Sequence, residues 1–221
     1  MARNADAALT LGAARRLTRR LTRHLTLPVL AVIPLGTVPG VVRVDDAARP
    51  TQAVVLAGGC YWGVESVFDH VRGVRSATSG YATPVPPSDA DPEPAAEAVR
   101  ILYDPTVLTF GQILDVFFTV AHDPTELDRQ GPDIGAEYRS VVFVQSDSQR
   151  TVVQRYVDSL SAARFYPRPI VSQIAALQSF RAVDASQQDY AERHPTDPYI
   201  VTNDLPKLEA LRRRFPQLYR N

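Results

Sequence analysis

Cysteine is almost absent from this chain: its 221 residues hold one, Cys60. A lone cysteine excludes a disulfide within these residues and removes the thiolate sets that build most structural zinc sites. Histidine is sparse too. His24, His70, His122 and His194 are too scattered to form a ligand cluster, so no metal site is expected. Neither sign of charge is in excess, with 24 basic residues against 24 acidic ones, which argues against nucleic acid or a highly charged partner. There is no internal repeat. At this length the chain can bury a good core in one domain with an extension.

Acidic residues are missing between Asp6 and Asp45, where the run Arg15-Arg16-Leu-Thr-Arg19-Arg20-Leu-Thr-Arg23-His24 precedes an apolar stretch, Leu25 to Val42. Basic then apolar is the order of a secretory signal, and Arg15-Arg16 has the form of a twin-arginine signal; an Arg-rich, acid-poor start equally fits an organellar transit peptide. Pro28, Pro34 and Pro39 argue against a stable membrane-spanning helix here. Residues 1–50 are therefore read as a targeting extension, against the plainer alternative of a basic tail, and residues 51–221 as the folded domain. A targeting role implies an exported, membrane-associated or organellar protein; otherwise it is cytoplasmic.

What is present is organised around Ala53-Val-Val-Leu-Ala-Gly-Gly-Cys60-Tyr-Trp-Gly-Val-Glu65-Ser-Val-Phe68. Val54, Val55 and Leu56 form a β-branched apolar run, Gly58 and Gly59 break it, and Val64, Val67 and Phe68 resume at helical spacing, so the stretch reads as strand, tight turn, helix. Cys60 then sits near a helix start, where unpaired N–H groups favour a thiolate. The plainer reading is a buried structural cysteine.

Further along, Gly73–Ala82 reads as a strand, Thr83–Pro94 as a proline-rich loop and Glu97–Tyr103 as a strand stopped by Asp104-Pro105. Thr109 can cap a helix whose apolar face is Ile113, Leu114, Phe117 and Phe118. A polar segment from Pro124 to Gly135 leads to a strand at Tyr138–Gln145 and a helix from Asp147 to Ala163, with Val152, Val153, Tyr156, Val157 and Leu160 on one face. Ile170–Ala176 reads as a strand, Phe180–Arg193 as irregular or helical, and Leu205–Phe215 as a helix whose cationic end, Arg212 to Arg214, suits its dipole. The order is βαββαβ plus a C-terminal extension. It implies an α+β fold, a ferredoxin-like two-layer α/β sandwich.

Four motifs stand out: Gly58-Gly-Cys60-Tyr-Trp-Gly63-Val-Glu65, Gly80-Tyr81-Ala82, Glu97-Ala-Val, and His122-Asp-Pro-Thr-Glu-Leu-Asp-Arg-Gln-Gly131-Pro-Asp133-Ile-Gly135-Ala-Glu-Tyr138-Arg-Ser140. As a set they closely resemble the peptide methionine sulfoxide reductases of the A type, continuously from about Ala53 to Gln145 and more weakly to about Tyr199. The resemblance implies thiol-dependent reduction of the S-sulfoxide of methionine, free or in proteins. Cys60 matches the nucleophile, which becomes a sulfenic acid. Glu97 matches the acid that protonates the sulfoxide oxygen, and burial would raise its pKa as that role needs; its plainer alternative is an exposed residue at a strand start. Trp62 and Tyr61 match the aromatic wall for the substrate methyl. Tyr138 and Asp133 match the groups around the sulfoxide oxygen, while Arg139 and Ser140 support the strand and Gly135 serves backbone geometry.

Departures from the family pattern are equally specific. Tyr61 replaces the usual phenylalanine, the Thr83–Pro94 loop is short and lacks the usual second tyrosine, and the histidine that usually precedes the acid's alanine is gone. Phe180, Gln188 and Tyr190 fit the pattern, with Asp184 in place of the usual glutamate. With a single cysteine, the sulfenic acid must be met by an external thiol of the thioredoxin, glutathione or glutaredoxin type. No bound cofactor is expected, and a monomer is. Two alternatives stand beside this reading: a degenerate member that binds oxidised methionine or a partner with little turnover, and a cysteine hydrolase using His70, His122 or His194 as base.

Overall fold

The β-branched run Val54–Leu56 lies inside the first strand, β1 (Gln52–Gly58), and the glycine turn delivers the chain into α1 (Tyr61–Asp69). In the computed structural model, residues 50–86 and 93–221 are described. The expected targeting extension falls outside them but for its last residue. Next come β2 (Val74–Pro84), β3 (Ala96–Tyr103) and α2 (Phe110–Val116), which runs on through a wider turn at Phe117–Ala121. Thr109 does cap α2: its hydroxyl accepts from Gln112 N at 3.2 Å, and Gln112 Oε1 accepts from Thr109 N at 2.9 Å, a reciprocal box. Two short strands, β4 (Arg129–Gln130) and β5 (Asp133–Ile134), form a hairpin before β6 (Ser140–Val144) and α3 (Asp147–Ala162). The chain ends with β7 (Gln173–Ala182), α4 (Tyr190–Arg193) and α5 (Leu205–Arg214).

The strands pair in the order β6-β1-β3-β2, each pair antiparallel, as the βαββαβ reading requires. The sheet does not end at these four strands. β7 pairs antiparallel with β2 and parallel with β6, closing a five-stranded barrel-like sheet. The sequence reading stopped this strand near Ala176 and made Phe180 irregular or helical. Instead Leu177–Ala182 pairs with Gly80–Pro84, and only that tertiary partner makes the weakly patterned Leu-Gln-Ser-Phe-Arg-Ala segment a strand. The fold is mixed α/β around that sheet.

A five-stranded barrel has a narrow interior, and small side chains fill it. Ala57, Ala82, Ala96 and Ala98 are buried there with Val55, Val141 and Phe143, and Ala175, Leu177 and Phe180 pack against them. The larger core lies on the outer face under the helices. Leu56, Val99 and Ile101 meet Val64, Val67 and Phe68 of α1 and Ile113, Leu114, Phe117 and Phe118 of the α2 segment. α3 buries Val153 and Leu160, whereas Val152, expected on the same face, is exposed.

α1 also approaches α5 and the turn before it so closely that Gly63 has no room for a side chain: a Cβ there would collide with the Asp204 carboxylate and the Lys207 ammonium. Gly63→Ala should therefore destabilise the protein by about 1–3 kcal/mol through overpacking. At Gly111, in α2, the nearest atom to a Cβ is Thr109 Oγ1 at 3.9 Å, so Gly111→Ala should stabilise by about 0.4–1 kcal/mol. Urea midpoints of the two variants should move in opposite directions.

Candidate active site

Gly59 makes the turn between β1 and α1 with φ +86°, and a Cβ there would lie 2.5 Å from the Gln130 side chain. Only glycine lets β4 sit so close to the turn. Gln130 fastens that contact by accepting from Asp123 N at 2.9 Å and donating to Asp123 O at 3.1 Å. Cys60 follows at the N-cap position of α1, in extended conformation, buried at 8% exposure. Its side chain caps no helix N–H.

The helix start does not make this thiol acidic. Burial, then the negative charge of Glu97, push the Cys60 pKa up to about 12, against the N–H of Trp62 and the hydroxyl of Tyr199, which favour the thiolate. The expectation of a thiolate at rest is corrected by the same tertiary packing that creates the site.

Among the acids, Glu97 acts most strongly on Cys60. Opposite the alternative of an exposed strand-start residue, it is 7% exposed, and its Oε2 accepts from Tyr61 N at 3.1 Å. Burial dominates its titration, with Asp133 and Glu137 adding repulsion, so its pKa rises to about 7 although the Tyr61 N–H and the Tyr81 hydroxyl favour the carboxylate. A proton donor that is half-loaded near neutrality thus adjoins the cysteine.

The remaining site residues arrive from several elements. Asp133, on β5, accepts the hydroxyl of Tyr199, and both line a cavity of about 190 Å³ that holds Cys60. Tyr138 ends the short turn Ala136–Tyr138 before β6. Burial and the negative charge of Glu97, Asp133 and Glu137 raise its pKa to about 12, so it remains a neutral donor. Tyr61 departs from the expected open wall: its ring is buried in the core, and its backbone N–H rather than its ring meets Glu97. Trp62 is half-buried, stacked on Tyr190 at 3.9 Å between centroids and meeting Tyr199 edge-on at 5.9 Å. Asp184 is exposed. Gln188 fastens its segment to β2 through Ser79 N and O, each at 2.9 Å. Arg139 donates to Pro94 O and Ala136 O, and Ser140 bonds His122, supporting roles as expected.

No described histidine stands beside the thiol as a base. His122 is buried with Nδ1 on Phe117 O and Nε2 on Ser140 Oγ, and burial lowers its pKa to about 4; His70 and His194 hold backbone carbonyls. Size alone does not locate the site, since a larger groove of about 510 Å³ beside Tyr166 and Pro167 has neither a cysteine nor a carboxylate in its lining.

The family description peptide methionine sulfoxide reductase matches residues 52–218. The chain belongs to that family. It is 46% identical over 183 residues to peptide methionine sulfoxide reductase MsrA 2 of Mesorhizobium japonicum, covering 79% of this chain and 93% of that one. It is 40% identical over 173 residues to MsrA of Natronomonas pharaonis, covering 76% and 97%. Among solved structures it is similar to reduced Mxr1 of Saccharomyces cerevisiae (TM-score 0.58, 27% identity, 68% of this chain and 89% of that one) and to methionine sulfoxide reductase A of Corynebacterium diphtheriae (0.53, 29%, 66% and 76%). This reductase is a peptide-methionine (S)-S-oxide reductase, and its reaction repairs oxidised methionine.

The sequence reading missed Tyr199 altogether and gave Tyr190 no role. Both lie in a stretch without helical or strand periodicity, and only the pair of tyrosines flanking His194-Pro195 hinted at them. Since the reductase keeps Cys60 mostly as a buried thiol, with its pKa up to about 12, its alkylation by iodoacetamide should still be rising at about pH 9 and not saturate as it does for a low-pKa cysteine. Glu97→Gln, by removing a charge that holds the proton on sulfur, should raise the alkylation rate at pH 8. Alkylation that has reached its final, fully ionised rate by pH 8 in the unaltered enzyme would contradict the buried-thiol description.

Proposed function

We propose that Cys60 attacks the sulfur of methionine sulfoxide while Glu97 delivers the proton that turns its oxygen into a hydroxyl. The observation that carries this reading is the buried Glu97 carboxyl on the N–H of Tyr61, one residue from the nucleophile. In the step, the Cys60 thiolate sulfur attacks the substrate sulfur and an S–S bond forms as the oxygen takes the Glu97 proton; the hydroxyl then passes to the Cys60 sulfur while the S–O and S–S bonds break and the S–S electron pair leaves on methionine, so the products are methionine and a Cys60 sulfenic acid. Sulfur in the substrate is reduced by two electrons, and Cys60 is oxidised by two. The proton on the new S–OH replaces the one the thiol gave up, so the step consumes none overall.

That balance sets the pH dependence. The Cys60–Glu97 pair titrates near pH 7 and near pH 12, and between these it holds one proton. Thiolate with carboxylic acid, the reactive arrangement, is a tautomer of this singly protonated pair. Below about pH 7 both groups are protonated and the reactive form is depleted. The cavity of about 190 Å³ is small beside ordinary ligand pockets, which run to about 300–1,000 Å³, and suits one side chain. Trp62, backed by Tyr190 and Tyr199, offers the substrate methyl an aromatic surface. Asp133, with the Tyr199 hydroxyl, and Tyr138 supply polar contacts toward the oxygen.

The sulfenic acid is then attacked by an external thiol of the thioredoxin, glutathione or glutaredoxin type, releasing water and leaving a mixed disulfide that a second thiol reduces. The single cysteine supports an outside thiol. We read the strands β6-β1-β3-β2 as a ferredoxin-like unit closed by β7, residues 51–221 as the catalytic domain of a monomer, and residues 1–50 as a targeting extension that carries the enzyme out of the cytoplasm or into an organelle. No described helix is long and apolar enough to cross a membrane.

With dithiothreitol and racemic methionine sulfoxide, the enzyme should deplete the S epimer alone, and Cys60→Ser should deplete neither. The single-turnover rate should fall as pH drops through about 7 and stay level above it. Glu97→Gln should cut the rate at pH 7 by about 10²- to 10⁴-fold and replace the plateau with a rise that continues into alkaline pH. A plateau that survives in Glu97→Gln would remove Glu97 as the acid.

A further inference from the structure

We infer that Tyr81, steadied by Tyr61, is a positioning residue for the acid, its hydroxyl holding the Glu97 carboxyl in place and supporting it once the proton has gone. The inference rests on Glu97 being the acid. Tyr81 and Glu97 are direct partners in the β2–β3 register, so their side chains stand together on the sheet face that α1 covers. Tyr61 stands over them from α1, its ring edge-on to Tyr81 at 6.0 Å between centroids and 88° between planes. The two hydroxyls act in the same order on the titration of their neighbours, Tyr61 as a donor toward Tyr81 and Tyr81 as a donor toward Glu97. With the Tyr61 N–H at 3.1 Å on Oε2 and Tyr81 beside it across the register, the carboxyl is held by an amide and faced by a phenol, both donors.

An acid faced by these donors directs its own O–H away from them, and Cys60, Asp133 and Tyr138 are other groups coupled to it electrostatically. Tyr81 is only part-buried, and its ring carries Arg181 at 5.7 Å on its face. Burial and the charge of Glu97 keep both phenols protonated at neutral pH, so each has a hydrogen to donate. The phenylalanine usual at position 61 would leave Tyr81 without its own donor.

The charged and titratable groups facing Glu97 are Cys60 and Tyr61 from α1, Tyr81 from β2, Asp133 from β5, and Glu137 and Tyr138 from the turn before β6. The acidic ones raise its pKa, and the Tyr81 hydroxyl opposes them. Loss of that hydroxyl therefore has two effects of opposite appearance. The acid-side midpoint of the rate profile moves up, because the carboxylate has lost a donor. The plateau falls, because the acid is weaker and less well held.

The test is the single-turnover pH profile, with kcat and KM for methionine sulfoxide, of the full chain and of Tyr81→Phe, Tyr81→Leu, Tyr61→Phe and Glu97→Gln. Tyr81→Phe keeps the ring and should lower kcat about tenfold with KM unchanged within about twofold, while its midpoint rises by about one pH unit. Tyr61→Phe should move both in the same directions by less, and the double variant should add little to Tyr81→Phe. Tyr81→Phe with an unaltered profile, or with a lowered plateau and an unmoved midpoint, overturns the inference; so does impairment seen in Tyr81→Leu alone, which would make the ring a packing element. If Glu97→Gln keeps the plateau, the acid assignment itself fails and takes the inference with it, whereas a Glu97→Gln that loses the plateau beside an unaltered Tyr81→Phe sinks only the inference.

Discussion

One hydrogen bond joins the parts of this active site: the Tyr61 N–H in the first turn of α1 to the Glu97 carboxyl on β3. A helix start leaves N–H groups without partners, and a residue at the cap usually meets one of them. Here the cap residue is Cys60, whose side chain makes no such bond. A buried acid from a distant strand satisfies the helix instead. The same contact serves the fold by filling an unmet donor and the chemistry by fixing the acid next to the thiol. It depends on the Gly59 turn, on the β2–β3 register and on the sheet that aligns β1 with β3.

How legible this was follows from the range of each interaction. The strand–turn–helix around Cys60 and the Thr109 cap are local patterns, and the structure keeps them. Apolar periodicity marked α3 as a helix, yet Val152 and Val153 are neighbours of similar character and only one is buried. Barrel closure was not legible, because Leu177–Ala182 becomes a strand through its pairing with β2 and not through its own pattern. The thiol's acidity failed in the same way. A helix terminus is visible in sequence, whereas the burial and the facing carboxylate that outweigh it are contributed from elsewhere in the chain.

The site residues divide similarly. Cys60, Glu97, Asp133 and Tyr138 sit in motifs whose resemblance to the family is dense, and the fold brings them to one region. Tyr190 and Tyr199 come from a segment whose own spacing is uninformative, and it is tied down by Gln188 reaching back to Ser79. Tyr61 was noticed for its ring, but its backbone and its hydroxyl meet the acid and the acid's neighbour.

Closure of the main sheet bears on the company this enzyme keeps. An exposed sheet edge presents unpaired backbone donors and acceptors on which a loosened strand of another chain can pair. An open sandwich would present two such edges to every damaged client. With β7 seated between β2 and β6, the five strands satisfy one another around the ring. Among the described residues, the main sheet of this repair enzyme thus leaves no unpaired edge for such a strand.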